Sequence, residues 1–206
     1  MPSAATLTLS LDHITRDIAS AIQAIDARRP VARSARSETI YQPGIGPHTE
    51  GKTIELVITE LKSRTATPYT DARLSIPYPA MPRQRCDLFI PTGGNDWHLE
   101  VKLFRLIGDN GKPNDNMLMH ILSPYPQHRS ALTDCRKLLR SGFTGRLGIL
   151  IYGYEHPDWP IDIALDAFER LASASATLSP RVTAAFQDLV HPVHKSGLVA
   201  GWELNP

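Results

Sequence analysis

Cysteine is scarce, with two residues in 206, Cys86 and Cys135. Both sit inside apolar patterns without metal-type spacing, which argues against a disulfide framework or a thiolate zinc site and reads as reduced core thiols. Long hydrophobic runs are missing as well, since no stretch approaches the roughly 18 apolar residues of a membrane span. The N-terminal residues lack the basic start and apolar centre of a signal peptide, so a cytoplasmic protein without membrane contact is expected. Charge of one sign is absent too: 22 Lys and Arg against 21 Asp and Glu leave a net +1. There is then no global pull towards nucleic acid, and any phosphate binding must come from local clusters. No internal repeat is visible. What remains is an ordinary globular composition, 42% hydrophobic and 21% charged, enough for one domain with a sizeable core.

Apolar periodicity sets out the elements. Leu11, Ile14, Ile18, Ile22 and Ile25 recur at helical spacing behind Ser10, an N-cap candidate, which predicts an amphipathic helix over 10–28. Residues 29–48 mix Arg, Ser, Pro and Gly and read as a long connection, and a second helix is expected from about Thr49 to Arg64. From Thr67 the pattern shortens to strand-like runs at 72–78, 85–91 and 97–104, with PTGGND as a hairpin loop between the last two. Residues 128–141 predict a helix closed by Gly142, and GRLGILIYGY a strand apolar on both faces. With Asp158 as cap and Pro160 near the first helical position, Ile161, Ala164, Leu165, Phe168 and Leu171 form one helical stripe. A further helix is expected from Ser179-Pro180, and GLVAGWEL as the last strand. A doubly apolar strand needs cover on both sides. The expected class is therefore α/β, a mixed central β-sheet flanked by helices on both faces. One domain is expected: an N-terminal helix and linker over 1–48, a core over 49–154, and C-terminal helices with the last strand over 155–206.

The stretch RCDLFIPTGGNDWHLEVK interrupts two apolar runs with acids. In a strand Trp97, Leu99, Val101 and Leu103 share one face, and His98, Glu100, Lys102 and Phe104 the other. Glu100 and Lys102 thus emerge together, about 7 Å apart at Cα, and Asp87 stands on the preceding run. If the two runs pair as a hairpin, both carboxylates converge. At about 4 Å their repulsion would be on the order of 4 kcal/mol for an effective dielectric near 20, which raises their pKa values. A divalent cation removes that repulsion. Acids without His or Cys suit magnesium, a hard ion that accepts one or two carboxylates, waters and phosphate oxygens. Lys102 can then orient or deprotonate an attacking water, or stabilise charge in the transition state.

Asp87, thirteen residues on to Glu100, and then Glu100-Val101-Lys102 resemble the PD-(D/E)xK nuclease superfamily. Its restriction-endonuclease-like core places the first Asp on one strand and (D/E)xK on the hairpin partner. Cys86 stands where Pro is usual, which removes no ligand. The resemblance covers about Thr49 to Tyr154. It implies metal ligation by Asp87, Glu100 and the Val101 carbonyl, with Lys102 assisting the water. It also implies a further acid from the helix before the sheet. Of Glu50, Glu55 and Glu60, only Glu50 extends the stripe of Ile54, Val57, Ile58 and Leu61 back one turn. The helix after the motif strand often lines the substrate channel in that superfamily, and Arg129, Arg136 and Arg140 share one face opposite Leu132, Cys135 and Leu139. Between strand and helix lies a polar insertion containing Lys112, suited to contacts with bases or phosphates.

The expectation is a Mg2+-dependent endonuclease, with Mn2+ able to substitute, that hydrolyses DNA directly without a covalent intermediate. By analogy it is restriction-type and a homodimer, with the 10–28 helix as candidate interface. The alternatives are a catalytically silent nucleic-acid- or partner-binding module of the same fold, and a structure-specific or RNA-directed nuclease. Glu155, His156 and Asp158 read as capping and turn chemistry rather than a metal site. Pro192 disrupts a helical ligand pair of His191 and His194, and His98 reads as a satisfied face residue.

Overall fold

The computed structural model describes residues 9–34, 38–114 and 116–205. Two helices come first, α1 (Leu11–Asp26) and α2 (Glu50–Ser63), followed by strands β1 (Arg73–Pro77), β2 (Arg85–Ile90) and β3 (Trp97–Phe104). A connection carrying α3 (Met117–Leu122) and α4 (Ala131–Leu139) leads to β4 (Arg146–Tyr154). Helix α5 (Ile161–Ala172) and strands β5 (Thr177–Leu178), β6 (Val182–Phe186) and β7 (Gly197–Asn205) complete the chain.

The strands form one seven-stranded mixed sheet in the order β1-β2-β3-β4-β7, with β5 and β6 both on the outer side of β7. Among the described residues only β3 and β4 run parallel, from Trp97↔Arg146 to Phe104↔Gly153, and the other strand pairings are antiparallel. A parallel neighbour needs a crossover, which explains why the long insertion and α4 lie between β3 and β4. Strand alternation then divides the core in two. Trp97, Leu99, Val101 and Leu103 pack with the stripes of α1 and α2 on one face. Phe104, Ile149, Ile151 and Trp202 pack with α3, α4 and α5 on the other. The helices cover both faces, as the continuously apolar β4 required.

Local signals set three of the helix starts. Ser10, Thr49 and Ser130 accept the backbone N–H groups of His13, Lys52 and Thr133, which caps α1, α2 and α4. Ile14, Ile18 and Ile22 of α1 are fully buried within the chain's own core. The apolar stripe of that helix serves the chain's own core, and its polar face is the one turned outwards.

Several sequence expectations are corrected. The segment after Ser179-Pro180 is strand β6, not a helix: Val182, Ala184 and Phe186 turn inwards at period two, and the outer edge of β7 supplies the pairing. Gly197 allows this junction, because a Cβ there would stand 2.0 Å from the Gly153 carbonyl and against the Phe186 ring. Helix α4 is shorter than 128–141, and Arg129 sits before it in a left-handed turn with φ 47°. The polar insertion holds the short helix α3, anchored by buried Ile121. Glu155, not Asp158, receives the first N–H of α5, from Ile161 at 3.3 Å. Leu171 is half exposed, and Ala172 takes its expected place in the core.

Candidate active site

A cleft of about 990 Å³ opens where β2 and β3 part. The ladder between them runs through Ile90↔Trp97, Phe89↔His98 and Leu88↔Leu99 and then stops. Continued by one step, that register would set Asp87 opposite Glu100. Instead the Val101 N–H donates to Asp87 Oδ2 at 2.9 Å, and the Leu103 N–H donates to Glu50 Oε2 at 2.7 Å. Residues two apart in a strand present their backbone groups to the same edge. Two carboxylates therefore satisfy the edge that β2 leaves open, one from β2 itself and one from the first turn of α2. On the other side of Asp87 the β1–β2 register skips Ser75, whose φ is +56°. Cys86 and Leu88 accordingly face different cores rather than the same one.

Glu100 and Lys102 point towards α4 and are buried, at 1% and 8% exposure. Lys102 Nζ lies 2.7 Å from Asp134 Oδ2 and 3.8 Å from Glu50 Oε1. Lys137 Nζ lies 2.7 Å from Asp134 Oδ1 and 3.2 Å from Glu100 Oε1. The Tyr78 hydroxyl donates to the same Glu100 oxygen. The floor thus carries the acids Glu50, Asp87, Glu100 and Asp134 and the cations Lys102 and Lys137. Counted as ionised, these leave an excess of two negative charges.

Burial is the first cause of the acids' altered titration. It raises Glu50 and Asp87 above the usual carboxylate range, with Lys102 opposing in both cases. It pushes Glu100, with Asp134 as a further contributor, up to about 8. For Lys102, burial works against the ammonium, but Asp134, Glu50 and Asp87 outweigh it and hold the group above the ordinary lysine range. Lys137 is raised in the same way by Asp134 and Glu100. Both lysines are therefore hydrogen-bond donors carrying charge, not bases. The neighbouring thiols are no nucleophiles, since burial pushes both Cys86 and Cys135 up to about 12.

The cleft brings together Glu50, Asp87, Glu100, Lys102, Arg129, Arg136 and Arg140. Lys112 is not among its lining residues and is exposed in the loop that bonds back to Gly108. Arg83 and Arg85 add positive charge from the β1–β2 side. His98 is buried against Phe143 at 3.8 Å between ring centres, as a packed face residue. Asp134, Lys137 and Tyr78 are the site residues that sequence reasoning did not single out. Asp134 had a signal, an acid on the stripe of Ala131, Leu132, Cys135 and Leu138, whereas Tyr78 reads as one more apolar position of the 72–78 run, after Leu74 and Ile76, and only the fold brings its hydroxyl to Glu100.

The donors present are hard oxygens, so the chemistry fits magnesium better than zinc. As they stand, no group of three His, Cys, Asp or Glu among the described residues is arranged to hold a metal ion. Magnesium requires only one or two protein carboxylates, and Asp87 and Glu100 are the two acids of the strand motif that line the cleft. The Val101 carbonyl shares the edge of its N–H, on the Asp87 side.

No protein-family model, no curated protein and no solved structure matches the chain. Among the described residues no helix is long and apolar enough to cross a membrane.

Proposed function

We propose that the chain is a metal-dependent phosphodiesterase acting on DNA, an endonuclease of the restriction-endonuclease-like kind. One observation carries this reading: Asp87, Glu100 and Lys102 line one cleft with Glu50 at its floor and arginines along its walls. Asp87, Glu100 and the Val101 carbonyl are the groups that would hold Mg2+, or Mn2+ in its place. Bound there, the ion would polarise a phosphoryl oxygen and lower the pKa of a water. The chain's own groups supply the rest. Lys102, fixed between Asp134 and Glu50, donates to a phosphate oxygen as charge grows on it. Glu50 anchors the β3 edge and is the second partner of that ammonium. Arg136 from α4 and Arg140 at its C-terminal end, with Arg129 before the helix, meet the flanking phosphates. Attack by water is direct, because the thiols near the cleft are held protonated.

A non-catalytic module has one observation in its favour. The Asp87 and Glu50 carboxylates already satisfy backbone N–H groups at an open strand edge, a structural role for both. Incubating supercoiled plasmid, single-stranded DNA and RNA with the protein in Mg2+ or EDTA separates the two readings. Metal-dependent nicking or linearisation, lost in Glu100→Ala and Lys102→Ala, supports the enzyme, and the substrate cleaved identifies the nucleic acid. Binding without cleavage of any of the three rejects the enzyme in favour of the module.

A further inference from the structure

Asp134 contacts both lysines of the cleft, Lys102 through Oδ2 and Lys137 through Oδ1, each at 2.7 Å. Its side chain is 3% exposed, and the ion pairs alternate through it from Glu50 and Lys102 to Lys137 and Glu100. The helix that carries it is seated in the core. Ala131, Cys135 and Leu138 are fully buried around it, and the Asp134 N–H is bonded to the Ser130 carbonyl at 2.9 Å. Lys137 is the more open of the two cations, with 23% of its side chain exposed against 10% for Lys102. Nothing in the two-strand motif calls for an acid or a second lysine from this helix.

We propose that Asp134 is the positioning residue of the centre: it fixes the Lys102 and Lys137 ammonium groups side by side, so that Lys137 is a second cationic contact to the phosphate that Lys102 serves. This rests on the phosphodiesterase reading above. It makes the cleft a two-lysine clamp on one phosphodiester, in which Glu100 restrains Lys137 until a phosphate oxygen takes its place.

Two measurements on the whole chain test it. The first is competitive acetylation of lysines in metal-free protein, read by peptide mass spectrometry. Lys102 and Lys137 are expected to label about tenfold more slowly than the exposed Lys52 and Lys62, and Asp134→Asn to raise the rates of both severalfold while Lys52, Lys62 and Lys195 keep theirs. Added duplex DNA is expected to slow Lys137 further. Unchanged labelling of both lysines in Asp134→Asn, or bound duplex that leaves the Lys137 rate untouched, overturns the proposal. The second is steady-state cleavage, where Asp134→Asn lowers kcat about a hundredfold with KM within about twofold.

If the Asn variant unfolds and labels at every lysine, Asp134→Glu decides. It keeps the charge and the protection but displaces the ammonium groups by a methylene, so kcat falls about a hundredfold. A Glu variant within twofold of wild type overturns the positioning role. Should the wild type cleave no nucleic acid, the phosphodiesterase reading fails, while the labelling arms still judge the hold of Asp134 and the contact of Lys137.

Discussion

Val101 donates its N–H to the Asp87 carboxylate at 2.9 Å, although the ladder between their strands ends one residue earlier at Leu88 and Leu99. The opening is a consequence of the side chains. A carboxylate in the line of β2 takes the place of a backbone partner, the strands part, and the gap admits Glu50 from α2 on one face of the sheet and Asp134 and Lys137 from α4 on the other. An open edge inside a covered sheet is thereby turned into a charged cleft rather than a pairing surface.

Removing charges from that cleft should separate its roles. Lys102→Met is expected to reduce cleavage by about two to four orders of magnitude, the range for loss of a positioned proton donor or charge stabiliser, with DNA affinity little changed. Asp87→Asn and Glu100→Gln should reduce cleavage comparably and also abolish Mg2+ binding in calorimetry. A Glu100→Gln protein that still binds Mg2+ as the wild type does removes that side chain from the ligand set.

The buried acids give the metal-free protein a characteristic pH dependence. Glu100 is raised from 4.5 to about 8, first by burial and then by Asp134, so the folded state holds its proton more tightly than the unfolded chain. Its contribution to stability is full below 4.5 and is lost as pH climbs through about 8. Glu50 and Asp87 are raised as well and act with the same sign. The melting temperature in EDTA should fall between pH 5 and pH 8.5, Glu100→Gln should flatten that fall, and Mg2+ should restore more at the alkaline end. Calorimetric scans across the range check this, and a slope unchanged in Glu100→Gln counts against it.

The arginine wall should be legible in salt dependence. Arg136 and Arg140 line the cleft from α4 and its C-terminal end. Deleting one cation that pairs with a phosphate should make the slope of log affinity against log salt shallower by about 0.9 on duplex DNA, or about 0.7 on a single strand. Arg136→Ala and Arg140→Ala are thus expected to weaken binding similarly across sequences, since pairing with phosphate carries no base information. Lys112→Ala, outside the cleft lining, should leave both slope and affinity unchanged. Fluorescence anisotropy over a salt series measures all three.

What the sequence disclosed follows from how local each signal is. Period-two alternation fixed the faces of Trp97 to Phe104 and so put Glu100 and Lys102 on one side, and the buried stripe of α2 pointed back to Glu50. These inferences need only neighbours along the chain. Tyr78 reaches Glu100 from 22 residues away, and the meeting of Asp134 with Lys102 depends on the crossover that lays α4 over β3. Such contacts exist only once the sheet order is known. The segment after Pro180 failed for the same reason, because Val182 to Phe186 becomes a strand through the pairing that β7 offers.

A polar node ties the segment before α2 to the segment before β7. Asp26, at the end of α1, is 1% exposed and accepts the Ile45 N–H at 2.8 Å through Oδ1 and the Val190 N–H through Oδ2. Gly44 sits directly against it, with φ +127° and room for no Cβ, which would stand 2.9 Å from Oδ1. Asp26→Ala leaves the buried Ile45 N–H and the half-buried Val190 N–H without their acceptor, at about 1–3 kcal/mol for the buried donor and less for the other, so urea unfolding should show a loss of about 1–4 kcal/mol with little change in the slope. Asp26→Asn keeps one carbonyl acceptor and should lose less. Neither change touches the cleft, and the surviving folded fraction should bind Mg2+ as the wild type does. A loss below about 1 kcal/mol in Asp26→Ala would mean that water takes over both donors and that the two segments hold their positions without this carboxylate.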